Sequence, residues 1–237
     1  MRPTPLIPDI REILESTQIF NPRTKEPRPE LLRCHPRAYM GLDLGQAQDN
    51  AALVILQRLE LVFPSKRDPV TYQHRHATVI LARYAERIPL GLAYPAVARH
   101  VADLAAIPPM QDRGQIVVDA TGVGAPVVDI LRATVGLRSR IVPVVITSGD
   151  HESERDTRFY VPKLDLMAGL RVAFEGHSIA LTSEVEGALD LKAELTDLRQ
   201  TRSHTGSERV TGRYKDDLAM ALALAWWRAS REAGRLS

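Results

Sequence analysis

Cysteine is almost absent from the sequence, aromatic residues are few, and long apolar runs are missing. Among the 237 residues there is one cysteine, Cys34, and aromatic residues make up 5%. A single thiol excludes an intrachain disulfide framework and a zinc site built from several cysteines. The longest apolar run, residues 218–227, falls well short of the roughly 18 residues of a membrane span. We therefore expect a cytoplasmic protein with no membrane segment.

The signature motifs of several enzyme classes are also missing. The sequence has no GxxxxGK[ST], which excludes a P-loop ATPase. The segment TGVGAP lacks the third glycine of a dinucleotide-binding loop. The histidines form no HExxH pair, and neither the serines nor the cysteine lie in a nucleophile elbow. The carboxylates therefore remain as the candidate catalytic residues.

The charge is small overall but unevenly distributed. The net charge is +2, with +2 on residues 1–38, −4 on residues 39–198 and +4 on residues 199–237. An acidic centre with basic ends favours a protein that holds cations centrally and contacts a polyanion at its periphery. A solvated surface with chance clustering of charge explains the same distribution equally well.

Proline density divides the chain into two parts. Residues 1–38 contain seven prolines, which oppose a long helix or a central strand. We interpret this stretch as an N-terminal arm or linker. Residues 39–237 are interpreted as one α/β domain.

Hydrophobic periodicity and turn residues predict the elements of that domain. The predicted strands are 39–44, 51–61, 75–88, 116–118, 141–146 and 178–181, and the predicted helices are 94–106, 125–135, 163–175, 184–198 and 216–231. The polar segment 199–215 is predicted to be a loop or a loose hairpin. Pro143 suggests that its strand lies near a sheet edge or starts late. Three early strands with short links favour antiparallel pairing and the later alternation favours parallel crossovers, so we predict a mixed sheet with helices on both faces.

Acidic residues occur at unusual places in these elements. Asp43 lies inside the first strand, Asp119 ends the fourth, and Asp216 and Asp217 open the last helix. Carboxylates within or beside apolar runs are costly unless each has a partner. If the first and fourth strands are neighbours, Asp43 and Asp119 converge at one end of the sheet. The terminal helix can then bring Asp216 or Asp217 to the same point.

Converging carboxylates indicate a divalent cation, because their negative charges repel one another. Hard oxygen ligands suit Mg²⁺ or Mn²⁺. Two such ions can stabilise both the attacking and the leaving oxygen of a phosphodiester during hydrolysis. The residues predict one ion between Asp43 and Asp119 and a second between Asp43 and the Asp216–Asp217 pair.

Each carboxylate also has a purely structural interpretation. Asp216 is a good helix N-cap and Asp217 favours the positive end of the helix dipole. Asp119 is a typical strand-end turn residue. Asp49 lies in a polar turn, where an Asx turn is favoured over a role as an auxiliary metal ligand. Asp43 is the hardest to explain structurally.

A basic segment leads directly into the Asp pair. The basic residues of 199–215 are Arg199, Arg202, Arg209, Arg213 and Lys215. A flexible cationic segment beside an acidic metal site suits a phosphodiester backbone, although an ordinary solvated loop has the same composition. Lys163, at the start of a predicted helix, is a further candidate for contact with phosphate.

Four segments in order resemble a known family. They are GLDLGQAQDNAAL, VVDATGVGAPVVDIL, RFYVPKLDLMAGL and YKDDLAMALALAWW. Together they resemble the C-terminal nuclease domain of the large terminase subunit of tailed bacteriophages. The resemblance covers about residues 39–230 and implies the RNase H-like fold that this family shares with Holliday-junction resolvases.

The resemblance implies metal-dependent endonuclease cleavage of double-stranded DNA during genome packaging, in the cytoplasm of an infected bacterial host. The catalytic acidic residues would be Asp43, Asp119 and Asp217, with Asp216 beside them and Asp49 as an additional ligand. Lys215 occurs where the family often has histidine, and the N-terminal ATPase of terminases has no counterpart in this sequence. The chain would then be a separate nuclease polypeptide, a fragment of a longer subunit or a prophage remnant. The implied protein partners are a separate packaging ATPase, a small terminase subunit and a portal.

Two other functions remain open from the sequence. GLDLG also resembles the first phosphate loop of actin-like ATPases and sugar kinases, whose fold core is related. Those proteins need two such domains, which 237 residues barely allow. The second alternative is a DNA-binding or assembly module that kept the fold without catalysis. ATP binding would single out the first alternative, and absence of metal-dependent cleavage would favour the second.

Overall fold

The structure is a computed structural model. The residues that it describes are 34–45, 50–67, 69–70, 72, 74–111, 114–122, 124–176, 178–181, 185, 187–197, 199–202, 208–211 and 216–231. Most of the predicted N-terminal arm, together with Asp49, Arg213 and Lys215, lies outside these residues.

The described strands form one large sheet and a separate hairpin. The strands are β1 (Cys34–Asp43), β2 (Ala51–Arg67), β3 (His74–Ile88), β4 (Gln115–Asp119), β5 (Ile141–Thr147), β6 (Ser153–Arg155), β7 (Arg158–Pro162), β8 (Ile179–Ala180), β9 (Arg199–Arg202) and β10 (Glu208–Thr211). The large sheet has eight strands in the order β6-β7-β5-β4-β1-β2-β3-β8, and β9 pairs with β10. The helices are α1 (Tyr94–Ala105), α2 (Gly124–Ala133), α3 (Lys163–Glu175), α4 (Ala188–Asp197) and α5 (Asp217–Arg231), with a 3₁₀ turn at Arg138–Arg140.

The strand directions confirm the predicted mixed sheet. β1, β2 and β3 are antiparallel neighbours. On the other side of β1, strands β4, β5 and β7 follow in parallel. This arrangement places the carboxyl ends of β1, β4, β5 and β7 along one edge of the sheet.

Helices cover both faces of the sheet, as predicted. Alternation along each strand directs one set of apolar side chains, including Tyr39 and Val54, towards α3, α4 and α5. The other set, including Met40 and Leu53, packs against α1 and α2. The two cores therefore lie on opposite faces of the same strands.

Some expectations about individual strands were wrong. Pro143 does not mark an edge, because β5 lies between β4 and β7 and Pro143 is paired with Val118 inside the sheet. A strand residue directs its N–H to only one neighbour, so one proline removes one donor and leaves the rest of the ladder intact. β1 begins at Cys34 rather than at residue 39.

The hairpin of β6 and β7 had no predicted counterpart. Arg155 pairs with Arg158, which leaves a turn of Asp156 and Thr157, both with positive φ (49° and 63°). Asn-Gly or Asp-Gly usually signals such a turn, and this sequence has neither glycine nor asparagine there. The predicted loose hairpin in 199–215 is present as β9 and β10.

Helix α5 crosses β1 at very short range. A Cβ atom built on Gly41 would lie 1.8 Å from the carbonyl oxygen of Ala221, closer than any real contact. Glycine at position 41 therefore lets the helix backbone rest directly on the strand. Since Ala221 lies one turn after Asp217, this approach holds the start of α5 near the carboxyl end of β1.

No helix within the described parts of the chain is long and apolar enough to cross a membrane.

Candidate active site

Two aspartates end neighbouring parallel strands. Asp43 is the last residue of β1 and Asp119 the last residue of β4. Leu42 pairs with Val118, so the two aspartates follow next to each other on strands about 4.8 Å apart. Leu42 and Val118 both face the core beneath α1 and α2. By alternation, Asp43 and Asp119 face the opposite side, where α5 lies.

Asp119 is fixed by the turn that follows β4. Its Oδ1 accepts a hydrogen bond from the backbone N–H of Thr121 at 2.8 Å. The hydroxyl of Thr121 in turn accepts the N–H of Ile146 on β5, also at 2.8 Å. The expected turn role of Asp119 is therefore present. Burial raises the pKa of Asp119, while the hydrogen bonds from the side chain and the backbone of Thr121 and the charge of Lys163 oppose that rise.

The start of α5 contributes the other two carboxylates. Asp217 is the first residue of the helix and is buried, with 9% of its surface exposed. Asp216 precedes it, and the carbonyl oxygen of Asp216 accepts the N–H of Met220 at 2.8 Å, the bond that opens the helix. Asp216 is thus the N-cap residue by its backbone.

The four carboxylates are close enough to act on one another. The pKa of Asp43 is raised well above its ordinary value, first by burial and then by the charges of Asp119, Asp217 and Asp216. The positive charge of Lys163 acts in the opposite direction. The position that was hardest to explain structurally is therefore the centre of an acidic cluster, which we define as Asp43, Asp119, Asp216 and Asp217.

Lys163 reaches this acidic cluster from a third element. Thr147 of β5 pairs with Pro162 of β7, and α3 begins directly afterwards, so Lys163 lies at the same edge of the sheet. Its Nζ donates a hydrogen bond to Oδ2 of Asp216 at 2.7 Å, and both side chains are partly exposed. Lys163 therefore supplies positive charge beside the carboxylates at a position open to solvent.

The predicted DNA-binding residues are only partly described. Arg199 and Arg202 lie on β9, and Arg209 lies on β10. The backbone of β10 runs close to α3, the helix that Lys163 begins. The β9–β10 hairpin therefore lies near the face of the sheet that α3 covers. Asp49, Arg213 and Lys215 fall outside the described residues, and the roles of all these residues stay predictions.

Sequence reasoning missed a buried glutamate beside the acidic cluster. Glu194 of α4 has 3% of its surface exposed, and its Oε2 accepts the N–H of Ala219 at 2.9 Å. Its Oε1 accepts a hydrogen bond from Arg87 of β3. Burial raises its pKa, while the bonds from Ala219 and Arg87 oppose the rise. A signal existed, since Glu194 shares the core-facing helical spacing of Leu191.

Solved structures resemble this fold over most of its length. The large terminase nuclease from thermophilic phage G20c, determined with bound magnesium, has a TM-score of 0.54 at 22% identity, covering 84% of this chain and 85% of that one. The large terminase nuclease domain of Thermus phage P74-26 has a TM-score of 0.50 at 19% identity, covering 81% of this chain and 78% of that one. The chain has the fold of large terminase nuclease domains.

This result confirms the resemblance drawn from the four sequence segments and the RNase H-like class that it implied. A second structure of the G20c nuclease gives a TM-score of 0.51 at 19% identity, with 84% and 86% of the two chains covered. No protein-family model matches the chain, and no curated protein matches it in sequence.

Proposed function

We propose that this protein is a divalent-metal-dependent endonuclease that cleaves double-stranded DNA during phage genome packaging. The observation that carries the proposal is the convergence of Asp43, Asp119 and Asp217 from two strand ends and a helix start. The charges of Asp119 and Asp217 each raise the pKa of Asp43. Such an arrangement suits an enzyme that binds cations and a polyanion, and the terminase nuclease fold supports this proposal.

The donor set fits a hard divalent cation. Carboxylate oxygens are the ligands that Mg²⁺ and Mn²⁺ prefer. Within the described residues, no three His, Cys, Asp or Glu side chains are arranged to hold one ion together. Mg²⁺ is usually bound through one or two carboxylates and keeps several waters. The bound magnesium of the G20c nuclease supports the same assignment.

Two pairs of ligands follow from this donor set. Asp43 and Asp119 would hold one ion, and Asp43 and Asp217, with Asp216 beside them, would hold a second. When bound, the ions polarise the phosphodiester and lower the pKa of water for hydrolysis. Asp43 would be a ligand of both ions because it lies at the centre of the acidic cluster. Thr121 holds the Asp119 carboxylate in one orientation by its N–H.

Basic groups would orient the DNA backbone over the carboxylates. Lys163 is partly exposed next to Asp216 and can offer its ammonium group to a phosphate. Arg199, Arg202 and Arg209 would contact neighbouring phosphates from the β9–β10 hairpin. Contacts to phosphate position a duplex and carry no sequence information directly.

The proposed role in packaging implies protein partners. We propose that it acts in the cytoplasm of the infected bacterial host, with a separate packaging ATPase, a small terminase subunit and a portal. A non-catalytic DNA-binding role on the same fold is the competing function. Both would bind DNA, and only the nuclease would cleave it.

The proposal predicts cleavage that depends on metal and on Asp119. Purified protein should nick and linearise supercoiled plasmid with Mg²⁺ or Mn²⁺ and leave it intact with EDTA. Replacing Asp119 by asparagine should lower the rate by at least about 10²-fold, because one ligand of an ion that stabilises the transition state is lost. Agarose gels of a time course give the rates.

A matched control separates loss of the site from loss of charge. Asp129 is an exposed aspartate on α2, which packs on the face of the sheet opposite α5, and Asp129→Asn should cleave at the wild-type rate. Folded wild-type protein that binds plasmid but leaves it intact in both metals would favour the non-catalytic role.

A further inference from the structure

Glu194 accepts a hydrogen bond that the N-cap residue of a helix normally accepts. Its Oε2 accepts the N–H of Ala219, the third residue of α5, at 2.9 Å. In a side-chain-capped helix, the N-cap residue accepts a hydrogen bond from the N–H of the second or third helical residue. The N-cap residue of α5 is Asp216, whose side chain is of the preferred type.

The Asp216 carboxylate is directed elsewhere. Its Oδ2 accepts the hydrogen bond of Lys163 Nζ at 2.7 Å. The amide that Asp216 would otherwise bind is already taken by Glu194, which reaches it from α4. The Glu194 carboxylate therefore caps the start of α5, and the Asp216 carboxylate accepts the hydrogen bond of Lys163.

Glu194 is held in this position from its other side. Arg87 of β3 donates a hydrogen bond to Oε1 of Glu194 and a second one to Asp190 at 3.3 Å. A buried carboxylate beside the acidic cluster needs such a cation, since an uncompensated buried charge is costly. The sheet, α4 and α5 are thus joined by one side chain that is almost fully buried.

We infer that Glu194 is a positioning residue that caps α5 in place of Asp216 and so keeps the Asp216 carboxylate on Lys163 and available to the metal site. The part of this inference that concerns metal rests on the proposed function. The part that concerns the direction of Asp216 does not.

The direction of Asp216 can be tested without metal. In a crystal structure of Glu194→Ala grown in EDTA, Asp216 should have turned to accept the Ala219 N–H and released Lys163. Glu194→Gln keeps an oxygen acceptor for Ala219 and should leave Asp216 on Lys163. If Asp216 stays on Lys163 in Glu194→Ala, the inference is wrong.

The consequence for metal can be tested by titration calorimetry with Mn²⁺ on the full chain. Glu194→Ala should bind Mn²⁺ about tenfold more weakly than wild type, the usual effect of losing a partner of a ligand. In an Asp216→Ala background the same change should have less than about a twofold effect, because a residue that acts through Asp216 has nothing left to position. Equal weakening in both backgrounds would mean that Glu194 acts on the fold alone, and would overturn the inference.

Two further variants keep the test decisive. Asp190→Asn removes the negative charge of the other acceptor of Arg87, and Asp190 is largely exposed, so this variant should bind Mn²⁺ as wild type does. If Glu194→Ala does not fold, Glu194→Asp replaces it, since its shorter side chain cannot bridge Arg87 and Ala219. Absence of Mn²⁺ binding by wild type would contradict the proposed function, and the metal-free structures would still decide the direction of Asp216.

Discussion

Asparagine in place of Asp43 should abolish cleavage and, at the same time, make the protein more stable. The expected loss in rate is at least about 10³-fold, equivalent to several kcal/mol of transition-state stabilisation. The melting temperature without metal should rise by a few degrees.

Both effects have one cause. Asp43 is the carboxylate that both proposed ions share, so its loss affects both. Burial and the charges of Asp119, Asp217 and Asp216 raise its pKa, which means that keeping it ionised at neutral pH opposes folding. Asparagine has nearly the same shape and no charge, and it removes this cost together with the ligand.

The measurement combines plasmid cleavage with thermal unfolding in EDTA and in Mg²⁺. Wild type should gain stability from Mg²⁺, because a ligand that binds only the folded state stabilises it, and Asp43→Asn should gain much less. The exposed Asp129→Asn should match wild type in all three readings. A variant of Asp43 that is inactive and also less stable would point to a structural role for this aspartate instead.

Alanine in place of Gly41 should cost about 3 kcal/mol of unfolding free energy, at the upper end of overpacking effects. The new methyl group would lie 1.8 Å from the carbonyl oxygen of Ala221, so α5 would have to move away from β1. Asp217 begins that helix and would move with it, and cleavage should fall even under conditions where the variant is folded. Urea unfolding and plasmid cleavage at low temperature measure the two effects.

Gly169 of α3 is the matched control for this substitution. A Cβ atom there would lie 3.7 Å from Nε1 of Trp226, an ordinary contact. Gly169→Ala should therefore leave cleavage unchanged and raise stability by up to about 1 kcal/mol through helix propensity. If Gly41→Ala unfolds at the wild-type urea concentration and cleaves normally, α5 does not rest on β1 as described.

Much of the site could be predicted because its residues end strongly apolar segments. Asp43 and Asp119 each follow a run of buried strand residues, and short apolar runs bounded by turn residues indicate buried strands. The pairing of β1 with β4 could only be assumed, since register depends on which strands are neighbours. The structure places β1 and β4 side by side, and this brings Asp43 and Asp119 next to each other.

Other features depend on tertiary contacts and could not be predicted. Asp216 was expected to be either an N-cap or a metal ligand, and the sequence alone could not decide between them. The structure shows Asp216 as the N-cap by its backbone, while Glu194, which is distant in sequence, accepts the Ala219 N–H from another helix. The role of Asp216 as a metal ligand stays a prediction. The expectation that Pro143 marks a sheet edge was wrong because the rule for proline in strands describes a tendency. One missing hydrogen-bond donor is tolerated in a sheet that is buried on both faces.

A crystal structure of the protein grown with Mn²⁺, with anomalous scattering data, tests the central claim most directly. We expect an anomalous peak between Asp43 and Asp119, within direct coordination distance of an oxygen of each, and none at this position in Asp43→Asn. Crystals that hold Mn²⁺ only elsewhere, at a concentration that supports plasmid cleavage, would contradict the assignment of these carboxylates as the metal site.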